Sequence, residues 1–166
     1  MVKEYGNLLR EDPSYAAKAA RVVELTRDIA EFLPQEIVAT AGADSVAGAD
    51  SGSGGARAAR RVAFHSPCTL QHGLKVRGKV EALLAAMGAE LVPVRDAHLC
   101  CGSAGTYSLL QPELSRTLRQ QKLESLLENR PEVVLSANIG CIAHLQGATD
   151  TPVRHWIEWL DESLSA

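Results

Sequence analysis

A regular alternation of short apolar runs with helical segments fills the chain from about Arg61 onward and restricts the choice of fold. Short runs that are rich in apolar residues read as strands at 61–65, 89–94, 132–136 and 151–154. Residues with helical periodicity fill the stretches after them, at 69–87, 106–129, 139–145 and 155–164. Pro93 predicts an edge position for the second strand, because proline cannot donate a ladder hydrogen bond. Strands that alternate with helices are typical of α/β proteins, so we predict a small, largely parallel sheet with flanking helices.

The residues before this region predict an N-terminal helix and a flexible linker. Asp12 suits a helix N-cap and Pro13 the first helical position, and apolar residues then recur at steps of three and four as far as Leu33. Small and polar residues dominate from Ala39 to Arg60, and Gly-Ala-Asp-Ser occurs twice there, which is typical of a low-complexity linker. We therefore predict a helical segment, a linker and a domain that holds every cysteine, at 1–38, 39–60 and 61–166.

Composition narrows the possible functions. The formal charge is -3, with both signs mixed along the chain, so no basic face for nucleic acid is expected. No apolar run reaches the roughly 18 residues of a membrane helix, and no apolar region of a signal peptide follows Lys3. We therefore expect a cytoplasmic protein. In that reducing compartment, 4 cysteines favour metal binding or redox chemistry over structural disulfides.

The cysteines follow three of the predicted strands. Cys68 comes after the first strand, Cys100 and Cys101 after the second, and Cys141 after the third. The carboxyl ends of parallel strands line one edge of a sheet, so we expect the four thiols to converge. Cys68 and Cys141 also precede or begin helices, a position that is expected to lower the pKa of a thiol.

Residues around the cysteine pair fit such a site. Gly102 and Gly105 allow backbone N–H groups to turn toward an anionic centre, and His98 lies two residues before the pair, close enough to support it. The spacing matches neither a zinc finger nor a ferredoxin. For Cys68 or Cys141 taken singly, a buried structural cysteine remains the alternative. The residues alone therefore predict a metal or redox site of undetermined type.

Three blocks of the sequence resemble a known family. They read HSPCT at 65–69, DAHLCCGSAGTY at 96–107 and SANIGCIAH at 136–144. In this order they resemble the CCG (cysteine-rich) domain of heterodisulfide reductase B subunits and related redox subunits. The likeness is greatest to the C-terminal part of the iron–sulfur subunits of glycolate oxidases.

The resemblance implies a ligand set. By position, the cluster ligands are Cys68, Cys100, Cys101 and Cys141, which suit a [4Fe–4S] cluster. Where the family pattern has a further cysteine, three residues after Cys141, this chain has His144. Two roles are open for His144, as a ligand or as a neighbour of the ligands.

The resemblance also implies an electron-transfer module without activity of its own. It would pass electrons from flavin-containing dehydrogenase subunits, which oxidise glycolate or another 2-hydroxy acid, toward an acceptor at the inner face of a membrane. The ferredoxin-like region and the earlier CCG repeat of complete family members do not occur in this sequence. The helix over 13–33 would have packed on those parts, so self-association is an expectation.

Two other interpretations of the cysteines stay open. A structural zinc or interaction module would use four thiolates, or three with His144, in tetrahedral geometry. Alternatively, the site is empty in this chain, with free thiols or a disulfide such as Cys68–Cys101.

Overall fold

The computed structural model of the protein describes residues 2–33 and 60–164. The chain divides into two compact units, Met1–Phe32 and Leu33–Ala166, and each is described by itself. The linker predicted over 39–60 lies outside the described residues, apart from Arg60.

The N-terminal unit consists of short helices. They are a 3-10 turn at Val2–Glu4, then α1 (Tyr5–Leu8), α2 (Ala16–Leu25) and α3 (Ile29–Phe32). The prediction of one continuous helix as far as Leu33 is therefore wrong in its middle. The backbone becomes extended at Thr26, whose Oγ1 donates to the Val22 carbonyl at 2.7 Å. Asp28 Oδ1 then accepts from the Ala30 N–H at 2.9 Å, so polar side chains satisfy the backbone where the helix stops.

The second unit is built on a four-stranded sheet in which every pair is parallel. The strands are β1 (Arg61–His65), β2 (Glu90–Leu91), β3 (Val133–Ser136) and β4 (Val153–His155), in the order β2-β1-β3-β4. The predicted α/β class, with a parallel sheet and flanking helices, is confirmed. β2 lies at the edge as predicted, and its ladder stops where Pro93 offers no N–H, so the strand is shorter than the predicted 89–94.

Helices cover both faces of the sheet. They are α4 (Lys79–Ala86), α5 (Tyr107–Leu110), α6 (Pro112–Leu127), α7 (Ile139–Gln146) and α8 (Trp156–Leu164). α6 and α7 pack on the face that presents Ala63 and Val134, whereas α8 contacts α4, β3 and β4. Because residues alternate along a strand, Val62 and Leu135 point to the opposite face from Ala63 and Val134. The core is thus a layer on each side of a fully buried β3.

The helix predicted over 69–87 is wrong in its first half. A π-helical turn at Thr69–Gly73 buries Leu70 and Gln71 instead. Lys75 and Gly78 then adopt positive φ angles of 59° and 73°, so α4 begins only at Lys79. Left-handed residues cannot continue a right-handed helix.

The helix predicted over 106–129 is also interrupted. Gln111 has φ -130° and ψ 61°, which separates α5 from α6. The ring of Pro112 excludes the helical region for the residue before it, and proline then suits the first turn of α6.

The two-layer core generates a stability prediction. Leu126 of α6 is 0% exposed, whereas Leu110 of α5 is 73% exposed. We expect Leu126→Ala to lower the free energy of unfolding by about 2–5 kcal/mol, because it leaves a cavity. Leu110→Ala should cost less than about 0.5 kcal/mol. Urea denaturation of both variants measures this, and equal losses would contradict the described packing.

Candidate metal centre

The four cysteines gather where the topology of the sheet reverses. From β1 the chain passes to β2 on one side, and it then crosses back to β3 on the other. Cys68 lies three residues beyond β1, Cys100 and Cys101 lie on the loop after β2, and Cys141 lies in the first turn of α7 after β3. All of them are therefore at the carboxyl ends of strands, and the reversal between β1 and β3 is where α/β proteins usually form ligand sites.

Two of the thiols form an inner pair, Cys101 and Cys141. Both are buried and belong to the apolar core between the sheet, α6 and α7. Ser103 lies between them, because its Oγ is 3.3 Å from Cys101 Sγ and 3.7 Å from Cys141 Sγ. Asn138, the N-cap of α7, accepts from the Cys141 N–H at 3.2 Å and fixes that end of the helix.

The other two thiols form an outer pair, Cys68 and Cys100. Cys68 is exposed, Cys100 is half-buried, and the two thiols are close enough for Cys100 to raise the pKa of Cys68. The Gly102 N–H donates to Cys100 Sγ at 3.3 Å, which is the backbone contact to sulfur that the glycine-rich turn suggested. All four cysteines are free thiols.

Mutual contact controls the protonation of the thiols. A hydrogen bond from Cys141 lowers the pKa of Cys101 far below its ordinary value, against the effect of burial, and His65 and Ser103 add to the shift. The same bond to Cys101, followed by burial, raises the pKa of Cys141. The two thiols therefore do not ionise independently, and binding a metal through both would release the protons that they carry.

The expectation that helix ends lower the pKa of Cys68 and Cys141 is wrong. Although Cys68 is exposed as a residue, partial withdrawal of its thiol from water, followed by the neighbouring Cys100, raises the pKa of Cys68. Burial and the neighbouring thiols together disfavour a further negative charge, so the pKa shift is upward at both positions.

His65 joins the inner pair, although the sequence analysis did not select it as a ligand. Its ring nitrogen and the sulfurs of Cys101 and Cys141 all lie within 4.8 Å of one another. The side chain is 2% exposed, and neither ring nitrogen has a well-aligned hydrogen bond to any residue within 2–33 and 60–164. The sequence feature that could have indicated this role is that His65 is the last residue of the first strand, which places it at the same edge of the sheet as the cysteines.

His144 lies outside this group of three. Its Nε2 is 3.3 Å from Ser115 Oγ, and Ser115 Oγ donates to the Gly102 carbonyl at 2.8 Å. A hydroxyl has one proton to donate, so His144 Nε2 carries a proton and donates to Ser115. That nitrogen is consequently engaged in holding the glycine-rich turn.

The three other predicted supporting residues differ in their surroundings. Gly102 has φ +88°, and a Cβ there would lie 2.5 Å from the Ser115 carbonyl oxygen. Gly105 has φ +49° with open space around it. His98 is exposed, and in the part of the chain that the structure describes no hydrogen bond joins its ring to a cysteine.

The donor set suits an iron–sulfur cluster. Four thiolates are the usual ligands of such clusters, and N–H and O–H donors to sulfur are among the features that set their potentials. The inner group supplies three donors of the kind that zinc prefers, all within 4.8 Å of one another, and a tetrahedral ion there would need one further ligand. The chemistry of the site therefore allows a cluster on four sulfurs or a single ion on the inner group.

Comparison with known proteins identifies a matching family and several relatives. The family described as Cysteine-rich domain (CCG) matches residues 62–146. Over 163 residues the chain is 45% identical to the glycolate oxidase iron-sulfur subunit of Escherichia coli, covering 98% of this chain and 37% of that protein. Identity is 31% to the E. coli protein YkgE, covering 88% of this chain and 56% of YkgE, and 28% to lactate utilization protein A of Bacillus velezensis, covering 90% and 58%. The chain thus spans less than two thirds of each relative.

The described helices also bear on membrane insertion. None of those within 2–33 and 60–164 combines the length and the apolar character that a membrane crossing requires.

The crowding at Gly102 generates a prediction. We expect Gly102→Ala to destabilise the protein by about 3 kcal/mol, because the new methyl group meets backbone and the φ angle is unfavourable. Gly105→Ala is the matched control, with only the φ cost of about 1–2 kcal/mol. Thermal or urea unfolding compares them, and a Gly102→Ala loss no larger than that of Gly105→Ala would contradict the close approach of the turn to α6.

Proposed function

The chain belongs to the CCG family of cysteine-rich domains, and on that premise we propose that it binds one iron–sulfur cluster through Cys68, Cys100, Cys101 and Cys141. We propose a [4Fe–4S] cluster, since four thiols are available. The observation that carries the proposal is the meeting of four free thiols at the carboxyl edge of the sheet. Thiolates select soft metal centres such as iron–sulfur clusters or zinc.

The proposed role is electron transfer within a complex that oxidises a 2-hydroxy acid. The E. coli relative is an iron–sulfur subunit of glycolate oxidase, and others are named for lactate utilization. A bound cluster supplies one-electron chemistry. The substrate would be oxidised at a flavin on a partner subunit, and this chain would carry electrons from there toward an acceptor. Its own residues hold the cluster, exclude water through the buried inner pair and set the charge around it.

The setting of the complex is part of the proposal. A ferredoxin-like region would supply further clusters, and the complex would lie in the cytoplasm, associated with the inner face of the membrane through its partners. The −3 net charge and mixed surface are compatible with that setting.

Cluster binding predicts a specific loss in a cysteine variant. After anaerobic reconstitution, we expect the wild-type chain to contain iron and acid-labile sulfide and to give an EPR signal in one of its redox states. Cys101→Ser removes a ligand from the inner pair and should lose most of the iron, the sulfide and the signal. Thr117→Ser, on the exposed surface of α6, should retain them. Wild-type protein without iron, or equal iron in Cys101→Ser, would refute the cluster.

A structural zinc site is the second candidate, favoured by the close spacing of His65, Cys101 and Cys141. If zinc is the resident metal, freshly purified protein should contain one zinc per chain without sulfide. His65→Asn should then reduce the zinc content, whereas His144→Asn, the matched change at a histidine outside the group, should not. Elemental analysis with a sulfide assay decides: iron with sulfide excludes this candidate, and stoichiometric zinc alone excludes the cluster.

A further inference from the structure

Lys122 of α6 is a buried cation inside the cysteine-bearing unit. The residue is 1% exposed. Its Nζ donates to the carbonyls of Asp96 and Ala97, at 3.0 and 3.2 Å, in the loop that leads to Cys100 and Cys101. Neutral carbonyls occupy two of its three donors but do not neutralise its charge.

Holding the loop does not by itself require a charge. Ser125 donates to the Arg95 carbonyl, and Asn129 donates to the Pro93 carbonyl at 2.8 Å. Ser125 lies three residues after Lys122 on α6, and Asn129 lies just beyond the end of that helix. Both bind carbonyls that precede Asp96 and Ala97 in the chain. A neutral donor in place of Lys122 could bind the loop in the same way, without the free-energy cost of removing an ammonium group from water.

The expected ion pair is missing at Lys122. Buried charges are normally paired, yet within 2–33 and 60–164 no carboxylate forms a salt bridge with Lys122. The nearby Asp96 carboxylate pairs instead with the guanidinium of Arg95 at 3.8 Å. Burial lowers the pKa of Lys122, and the groups that oppose this shift are Cys101, Asp96, Cys68 and Cys100, in that order. Three of these four groups are the thiols of the candidate site.

We propose that Lys122 is a positioning residue of the metal centre: its buried ammonium is the counter-charge of the thiolate site and raises the reduction potential of the cluster bound there. The inference rests on the proposed function. When a cluster on four thiolates takes up one electron from a donor such as a flavin subunit, the site becomes more negative by one charge. A fixed cation stabilises the reduced form more than the oxidised form, so it favours reduction.

The test compares charge removal with loop release in the full chain. Lys122→Gln keeps a donor, Lys122→Met keeps the apolar packing, and both remove the charge. Lys122→Arg keeps the charge, and Ser125→Ala removes a loop hydrogen bond without changing any charge. Each variant is reconstituted anaerobically, its iron and sulfide are counted, and its potential is measured by EPR-monitored titration against dithionite. Urea unfolding of each variant reports structural damage.

We expect both neutral variants to retain the cluster and to shift the potential to more negative values. Lys122→Arg should stay close to the wild type, and Ser125→Ala should lower the urea midpoint without moving the potential. A neutral variant with the wild-type potential overturns the inference and leaves the cluster standing. The inference is also overturned if both neutral variants fail to fold while Ser125→Ala folds, because Lys122 would then be needed for folding and not for the potential. Wild-type protein without iron and sulfide refutes the proposed function, and the inference with it.

Discussion

Parallel pairing between β1 and β3 is the constraint on which the site depends. In this register His65 lies opposite Ser136, and Ser136 Oγ donates to the His65 carbonyl at 3.0 Å, so the two strands end together. Cys68 follows the end of β1 by three residues, and Cys141 lies in the first turn of the helix that follows β3. A slip of one residue would turn every side chain of a strand to the opposite face and separate the groups. The candidate metal centre thus depends on strand register as well as on the local sequence around each cysteine.

A concentration of thiols needs positive potential around it, and the structure supplies this from several directions. The Gly102 N–H points at Cys100, Ser103 bridges the inner pair, and Lys122 brings a buried ammonium behind the loop. Within the inner pair, mutual contact favours the thiolate of Cys101 and disfavours that of Cys141. An iron–sulfur cluster or a metal ion bound through the thiolates would neutralise much of the negative charge that remains.

Much of the fold could be predicted because the alternation of strands and helices is strong after Arg61. The expectation that distant cysteines approach one another followed from the same alternation. The breaks at Lys75, Gly78 and Gln111 could be located less well, because left-handed residues and the effect of Pro112 act over one or two positions. Apolar periodicity, which averages over several turns, does not register them.

His65 and Lys122 were missed for a different reason. A histidine at the end of a strand and a lysine in an amphipathic helix have no distinctive spacing. Their roles depend on which residues the tertiary fold brings beside them.

Native mass spectrometry of the anaerobically reconstituted chain tests the central claim most directly, because it measures the mass of the bound group. The account predicts one iron–sulfur cluster per chain, lost when the inner cysteines are replaced. A chain that carries a single zinc, or whose bound mass is unchanged without Cys101 and Cys141, would contradict it.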